Sequence, residues 1–507
     1  MESLPVDILW EIFGHFCFHC QHPEHFPNAD IEDTRNDKKT LARLCRVSKA
    51  ICAVAQPVLY HYYATGNSRI ETNHYRGYDV PTIIPREPDY LPQFVLTIAR
   101  RPDLAAKVST MHIVIMQREF MSTYRKNLTP ILFELSITKN LPQRRHLHVD
   151  WLGHEPLDGS IYMRDGLHLW LATLAMVLTP SLRSLLLAID HGVEFLTLKG
   201  APQFKLPALR TLALTGHAWD YHFHELEALY AAAPNLETIY ACDAGGVRKM
   251  GLDTARYSGF KYGLALSNVK TLAISDLTPE HLGNLLPCVP KLEDLEYYWD
   301  SAQEFNIANF VELLEPVKTT LKRLCIELVP SSYKDIVSDP FPRPIEPANG
   351  DYASIETLRE FENLEDLAIS CHMVYHEDWI GASDPDEDSR LVELLPKSIR
   401  KLRISYLYKG IEKALGGLLA VAPTEFPLLK DIVIGVAERV DLGHESGIEW
   451  TAALGTLFEA ADIRFSFKTD FLGADPRTII PGAMPKSKFL PVPRVMDVTT
   501  DFELGGD

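Results

Sequence analysis

The chain has 507 residues, of which 46% are apolar, 10% aromatic and 23% charged. That is enough apolar material for a substantial core, which excludes a disulfide-stapled miniprotein and a wholly disordered polymer. Acidic residues outnumber basic ones 68 to 50, for a net charge of −18, so phosphate backbones and anionic lipid are repelled and neither nucleic acid nor a membrane is an expected partner.

The eight cysteines are scattered, and several sit inside apolar runs, as free thiols of a reducing compartment do. Glu2, Asp7 and Glu11 precede the first basic residue, Arg35, the reverse of a secretory or mitochondrial leader. No run approaches the roughly 18 apolar residues that span a bilayer. A cytoplasmic or nuclear location is expected.

Residues 1–66 read as a small helical domain. Leu4 and Pro5 suit a helix start, and Leu4, Ile8, Ile12 and Phe16 recur at steps of four, flanked by Leu9 and Phe13, as one inward stripe. Leu41, Leu44, Val47, Ser48, Ile51, Val54 and Ala55 repeat the pattern in a partner helix that Pro57 should interrupt. The polar text from Cys17 to Thr40 has no apolar period and predicts an inserted loop. Residues 67–107 read as a linker and solenoid entry, since 66–92 are rich in Pro, Tyr and polar groups.

From Val108 to about residue 472 an apolar-x-x-apolar-x-apolar unit recurs. Nine copies begin at Leu182, Leu209, Leu236, Val269, Leu292, Leu321, Leu364, Ile399 and Leu429, spaced 23 to 43 residues apart. Each alternates like a short strand, and helix-like text such as HELEALYAAAP or TPEHLGNLLPCVP usually lies between, with Thr278 and Pro279 as cap and first helical residue. One strand-helix unit cannot bury its own apolar face, so copies must stack with parallel strands inside and helices outside, an irregular α/β solenoid. Val108, Met111 and Ile113 fit an earlier degenerate copy, and Ile463, Phe465 and Phe467 a closing strand. Residues 330–351 read as a projecting loop and 473–507 as a Pro-rich tail.

The text LPVDILWEIFGHF, followed after an insert by LARLCRVSKAICAVAQPVLYHY, resembles an F-box as found in the fungal F-box and leucine-rich-repeat protein family. The resemblance covers the first 60 or so residues by motif and the rest by repeat architecture. It implies an F-box helical domain ahead of a leucine-rich-repeat solenoid. It further implies that the F-box binds a Skp-type adaptor, and through it a cullin-RING ubiquitin ligase, while the solenoid binds a substrate protein. Carried onto this sequence, the adaptor-binding residues are Leu4, Pro5, Ile8, Leu9, Ile12, Leu41, Leu44, Val47 and Pro57. The alternatives are a leucine-rich-repeat interaction scaffold without a ligase and, less favoured, a zinc-dependent hydrolase.

Catalytic motifs are wanting. Cys17-x-x-Cys20-x-His22-x-x-His25 offers four zinc-ligand types, but one residue separates the two pairs where about a dozen normally close a loop around the ion. The expectation is therefore no metal and a solvated histidine loop. His224-Glu225-Leu226-Glu227-Ala228 begins like a zincin helix but lacks the second histidine, and Gly443-His444-Glu445-Ser446-Gly447 does not centre its serine. No catalytic residue, metal or other cofactor is expected, and the chain reads as a non-enzyme. Alternation along the strands places Ala213, Tyr240, Ala273, Glu296, Cys325, Ala368 and Arg403 on the face opposite the apolar rows. Tyr240, Glu296, Tyr298, Trp299 and Arg403 are the substrate-binding candidates, because Tyr, Trp and Arg anchor interfaces.

Overall fold

A computed structural model describes residues 4–21, 23, 32–64, 68–75, 78–85, 90–115, 166–189, 205–216, 223–241, 263–275, 277–299, 309–328, 355–370, 373–374, 389–405, 411–435 and 445–468. The chain divides into two compact units, one from residues 1–236 with 246–248 and 485–507, the other from 237–245 and 249–484. The expected loop at 330–351 and tail at 473–507 lie outside the described residues.

The first unit opens with α1 (Val6–Gly14), α2 (Phe18–Gln21), α3 (Glu32–Leu44) and α4 (Lys49–Leu59). Leu9 and Phe13 of α1 pack with Cys17, Leu41, Ile51, Val54, Ala55, Val58 and Tyr62 in one buried cluster. The α1 stripe divides where one inward line was expected. Ile12 and Phe16 pack against that cluster, but Leu4 and Ile8 stay exposed, because Leu9 and Phe13, one turn apart, fill the inward arc.

The expected loop is mostly helix. Its text is polar nearly throughout, so no apolar period shows, yet α3 buries Thr34 and Leu41, and Lys38 Nζ donates to the Tyr62 carbonyl at 2.8 Å. The predicted partner helix is two helices. Residues 45–47 form a turn, and Ser48 Oγ caps α4 by accepting from the Ile51 amide at 3.3 Å. Pro57 does not interrupt α4, which continues through it to Leu59. At that depth in the last turn it removes one amide donor only.

Strand β1 (Tyr62–Ala64) follows α4 directly. The expected linker holds an antiparallel hairpin, β2 (Ser68–Tyr75) with β3 (Tyr78–Pro85), then α5 (Leu91–Arg100) and α6 (Pro102–Ala105). Ile70, Thr72, Val80, Thr82, Ile83 and Ile84 are strand formers that the Pro and Tyr content concealed. β1 pairs in parallel with β4 (Thr110–Ile115), so sheet structure begins ahead of the anticipated first copy. α7 (Gly166–Leu178) leads to β5 (Ser184–Ile189), which pairs in parallel with β4 and with β6 (Thr211–Gly216). α8 (Glu227–Ala232) follows.

The second unit carries β7 (Thr238–Ala241), β8 (Thr271–Ser275), α9 (Pro279–Leu285), β9 (Asp294–Trp299), α10 (Phe310–Leu313), β10 (Arg323–Leu328), β11 (Asp366–Ser370), α11 (Arg390–Leu394), β12 (Lys401–Ser405), α12 (Ile411–Glu425), β13 (Asp431–Gly435), α13 (Glu445–Ala460) and β14 (Arg464–Lys468). Each strand pairs in parallel with the next. The register aligns Ile239, Leu272, Leu295, Leu324, Leu367, Leu402, Ile432 and Phe465 in one row. These are the central apolar positions of the repeating unit. All nine copies carry a strand, and β14 occupies the expected closing position. Thr278 Oγ1 accepts from the His281 amide at 3.2 Å with Pro279 at the first turn, as its sequence proposes.

Two features fix the repeat that the apolar count alone misses. The amide of the first apolar residue bonds back three positions, as in Leu292 to the Val289 carbonyl (3.0 Å), Leu364 to Phe361 (3.0 Å) and Leu429 to Phe426 (3.0 Å), so each strand is preceded by a tight turn. Charged residues at the starts of neighbouring strands, or one position ahead of them, then pair with opposite sign: Lys322 meets Glu293 at 2.7 Å, Arg400 meets Glu365 at 3.5 Å and Arg464 meets Asp431 at 2.6 Å. Exposed pairs of this kind add little energy, but a slipped register would break them while turning the apolar row outward.

Candidate functional site: an exposed apolar turn and a thiol–imidazole cluster

The residues that the resemblance assigns to adaptor binding separate by burial. Leu4, Ile8 and Val47 are 38%, 46% and 63% exposed, joined by Val6 at 57%, while Pro5 is also exposed. Leu9 and Leu41 are buried in the helical core, and Ile12, Leu44 and Pro57 are half-buried. The first group is available to a partner; the second holds the helices that present it. Large aliphatic side chains left in water at one helix start and one helix–helix turn suit a protein contact.

A second group in the same helical region is one that the spacing argument passed over. Cys17, His19, Cys20 and His61 each offer a ligand atom, and these atoms all lie within 4.8 Å of one another. His61 Nδ1 is 3.2 Å from Cys20 Sγ and 3.9 Å from Cys17 Sγ. His19 Nε2 is 3.0 Å from Ser109 Oγ, which itself donates to the His61 carbonyl at 3.0 Å. His19 Nδ1 is buried with no hydrogen-bond partner. Trp10 stacks on the His61 ring with centroids 5.8 Å apart.

The electrostatics of the two thiols are opposed. Cys20 is held well below the ordinary thiol range, first by the hydrogen bond from Cys17 and then by His19 and His61, whereas the bond to Cys20 and burial push Cys17 up. Burial pulls the Lys38 ammonium down to about 8, against a smaller opposing effect of Cys17. Of the four sequence candidates, Cys17 and Cys20 belong to the cluster, while the side chains of His22 and His25 lie outside the described residues. His19 falls between the two cysteines, and His61 joins from 41 residues beyond Cys20, across the α4–β1 junction. Local spacing could not have found it.

The proposed substrate face is largely covered. Tyr240, Tyr298 and Arg403 are buried, and Ala213, Ala273, Cys325 and Ala368 with them. Glu296 is half-buried, and the Trp299 side chain is outside the described residues. Arg403 forms an ion pair with Asp366 at 2.8 Å, and Tyr298 Oη donates to Glu296 at 3.2 Å. The contacts of Arg403 and Tyr298 supply packing and charge compensation within the second unit, and alternation alone could not show whether this face meets solvent.

Burial pushes the Glu296 carboxyl from 4.5 up to about 7, opposed by the Tyr298 hydrogen bond and by Arg403 and Arg323. The folded chain therefore holds this proton over a range in which the unfolded chain releases it. Stability from this group is complete below about pH 4.5 and is lost as pH rises through about 7. Glu296→Gln should flatten that slope and raise stability near pH 8 by roughly 1–3 kcal/mol. Denaturation midpoints of both proteins across this range provide the check, and a slope that persists in the variant would assign it to other groups.

The described chain is thus an α/β protein whose main strands are all parallel. No model of a known protein family matches the sequence, and no curated protein matches it either. No helix among the described residues is long and apolar enough to cross a membrane.

Proposed function

We propose that the chain is a non-catalytic adaptor of a Skp-cullin-F-box ubiquitin ligase, with α1 and the α3–α4 turn docking a Skp-type adaptor and the strand repeats capturing the protein to be modified. The observation that carries this reading is the exposure of Leu4, Val6 and Ile8 at the start of α1 and of Val47 in the α3–α4 turn, beside helices whose opposite sides are packed. The reading also rests on the resemblance of LPVDILWEIF and LARLCRVSKAICAVAQPVLY to an F-box. Ubiquitin transfer occurs on other subunits, and the work is cytoplasmic or nuclear. With Tyr240, Tyr298 and Arg403 buried, substrate contact falls to other side chains of the repeats.

Capture of a Skp-type adaptor by the full chain is the direct test. Leu4→Ala with Pro5→Ala, and separately Ile8→Asp with Val47→Asp, should abolish capture while leaving the circular dichroism spectrum unchanged, since none of the four is in the core. Undiminished capture by both variants, or none by the wild-type chain, would sink the ligase reading in favour of a repeat scaffold that binds partners on its own.

A further inference from the structure

We propose that Cys17, His19, Cys20 and His61 form a tetrahedral structural zinc site that ties α2 to the start of β1. The donor set is two thiols and two imidazoles with no carboxylate, which suits zinc and not magnesium or calcium. With zinc bonds of about 2.3 Å to sulfur and about 2.1 Å to nitrogen, tetrahedral geometry sets sulfur and nitrogen roughly 3.6 Å apart. The distances of 3.2 and 3.9 Å from His61 Nδ1 to the two sulfurs bracket that value.

The tautomer of His19 is an independent indication. Ser109 Oγ uses its proton on the His61 carbonyl, so its contact with His19 Nε2 requires that nitrogen to be the donor. Nδ1 then carries the bare lone pair that a metal needs, and it is the atom left buried without a partner. A ligand imidazole whose other nitrogen is bound to a fixed hydroxyl is the usual support around a metal centre. On binding, each thiol gives up its proton to solvent, and the two thiolates neutralise the divalent ion. All four positions are filled by protein, so no site is left for a reactive water. The role is structural: α2 is a four-residue helix, far too short to persist alone, and the ion would anchor it to a residue 41 positions beyond Cys20.

The test uses the full chain, stripped with chelator under reducing conditions and titrated with cobalt(II). One equivalent should bind, giving thiolate-to-cobalt charge transfer and the intense visible bands of a tetrahedral ion, both bleached by zinc. Cys20→Ser and His61→Asn should each abolish the bands, His22→Ala with His25→Ala should keep them, and Ser109→Ala should weaken binding by about 10- to 100-fold. X-ray absorption of the zinc-loaded wild-type protein, which needs no variant to fold, should return two sulfur and two nitrogen neighbours. Absence of a stoichiometric ion, any other coordination shell, bands that survive His61→Asn, or a Cys17–Cys20 disulfide in protein prepared under reducing conditions would overturn it. Adaptor capture is scored separately, so either reading can fail while the other stands.

Discussion

Leu402→Ala is expected to destabilise the second unit by about 2–5 kcal/mol, the scale for deleting a fully buried leucine side chain. Leu402 is 0% exposed on β12, and the register sets it between Leu367 of β11 and Ile432 of β13, themselves buried. Each neighbour is held by a further strand, so the cavity cannot close by collapse of one side alone. For a unit of this size the thermal midpoint should fall by roughly 4–20 °C. Leu428→Ala supplies the contrast: that leucine is 40% exposed in the turn before β13, and its loss should change stability by less than about 0.5 kcal/mol. Equal effects of the two substitutions would mean that the apolar row is not the core.

That pair of residues also shows what the sequence makes legible. Leu428 and Leu429 are adjacent and chemically identical, yet only the repeat phase assigns Leu429 to the buried position. Phase works because stacked parallel strands repeat one environment, so nine weak local signals reinforce one another. It fails where an element carries no apolar period. Most of α3 is polar and reads as loop, although its one buried leucine, Leu41, suffices to seat it. The β2–β3 hairpin is hidden for a related reason, since Pro and Tyr raise the turn signal over residues that otherwise favour strands.

Sites were less legible than elements because they depend on which side chains three-dimensional neighbours cover. Alternation correctly places Tyr240, Glu296 and Arg403 opposite the apolar row but is silent on whether that face meets water. Burial of Tyr240 and Arg403 is a tertiary fact. The thiol–imidazole cluster fails differently. Cys17 and Cys20 are conspicuous in the text, but His19 between them competes at short range with His22 and His25, and His61 becomes a neighbour only when α4 returns the chain to β1. The exposed turn at Leu4 and Ile8 is the converse case, where the regular stripe alone suggested burial, while the resemblance placed both at a partner surface, and the packed arc had room for only part of the stripe.

Asp366→Ala is expected to have an effect as large as a core deletion, although it removes only a short polar side chain. Arg403 is 5% exposed and its guanidinium donates to Asp366 Oδ1 at 2.8 Å, so the substitution withdraws an anion from a buried cation. Breaking such a pair costs about 3–5 kcal/mol, because the desolvated charge remains. Glu296 cannot substitute fully, since its own burial keeps it protonated up to about 7. Replacing both partners, Asp366→Ala with Arg403→Met, should recover much of the loss by removing the charge together with its counter-ion. The exposed pair of Arg400 with Glu365, half in water on both sides, provides the control, and Glu365→Ala should leave the midpoint unchanged. If Asp366→Ala were as silent as Glu365→Ala, charge compensation at Arg403 would have to come from other groups, and the ion pair would contribute register rather than stability.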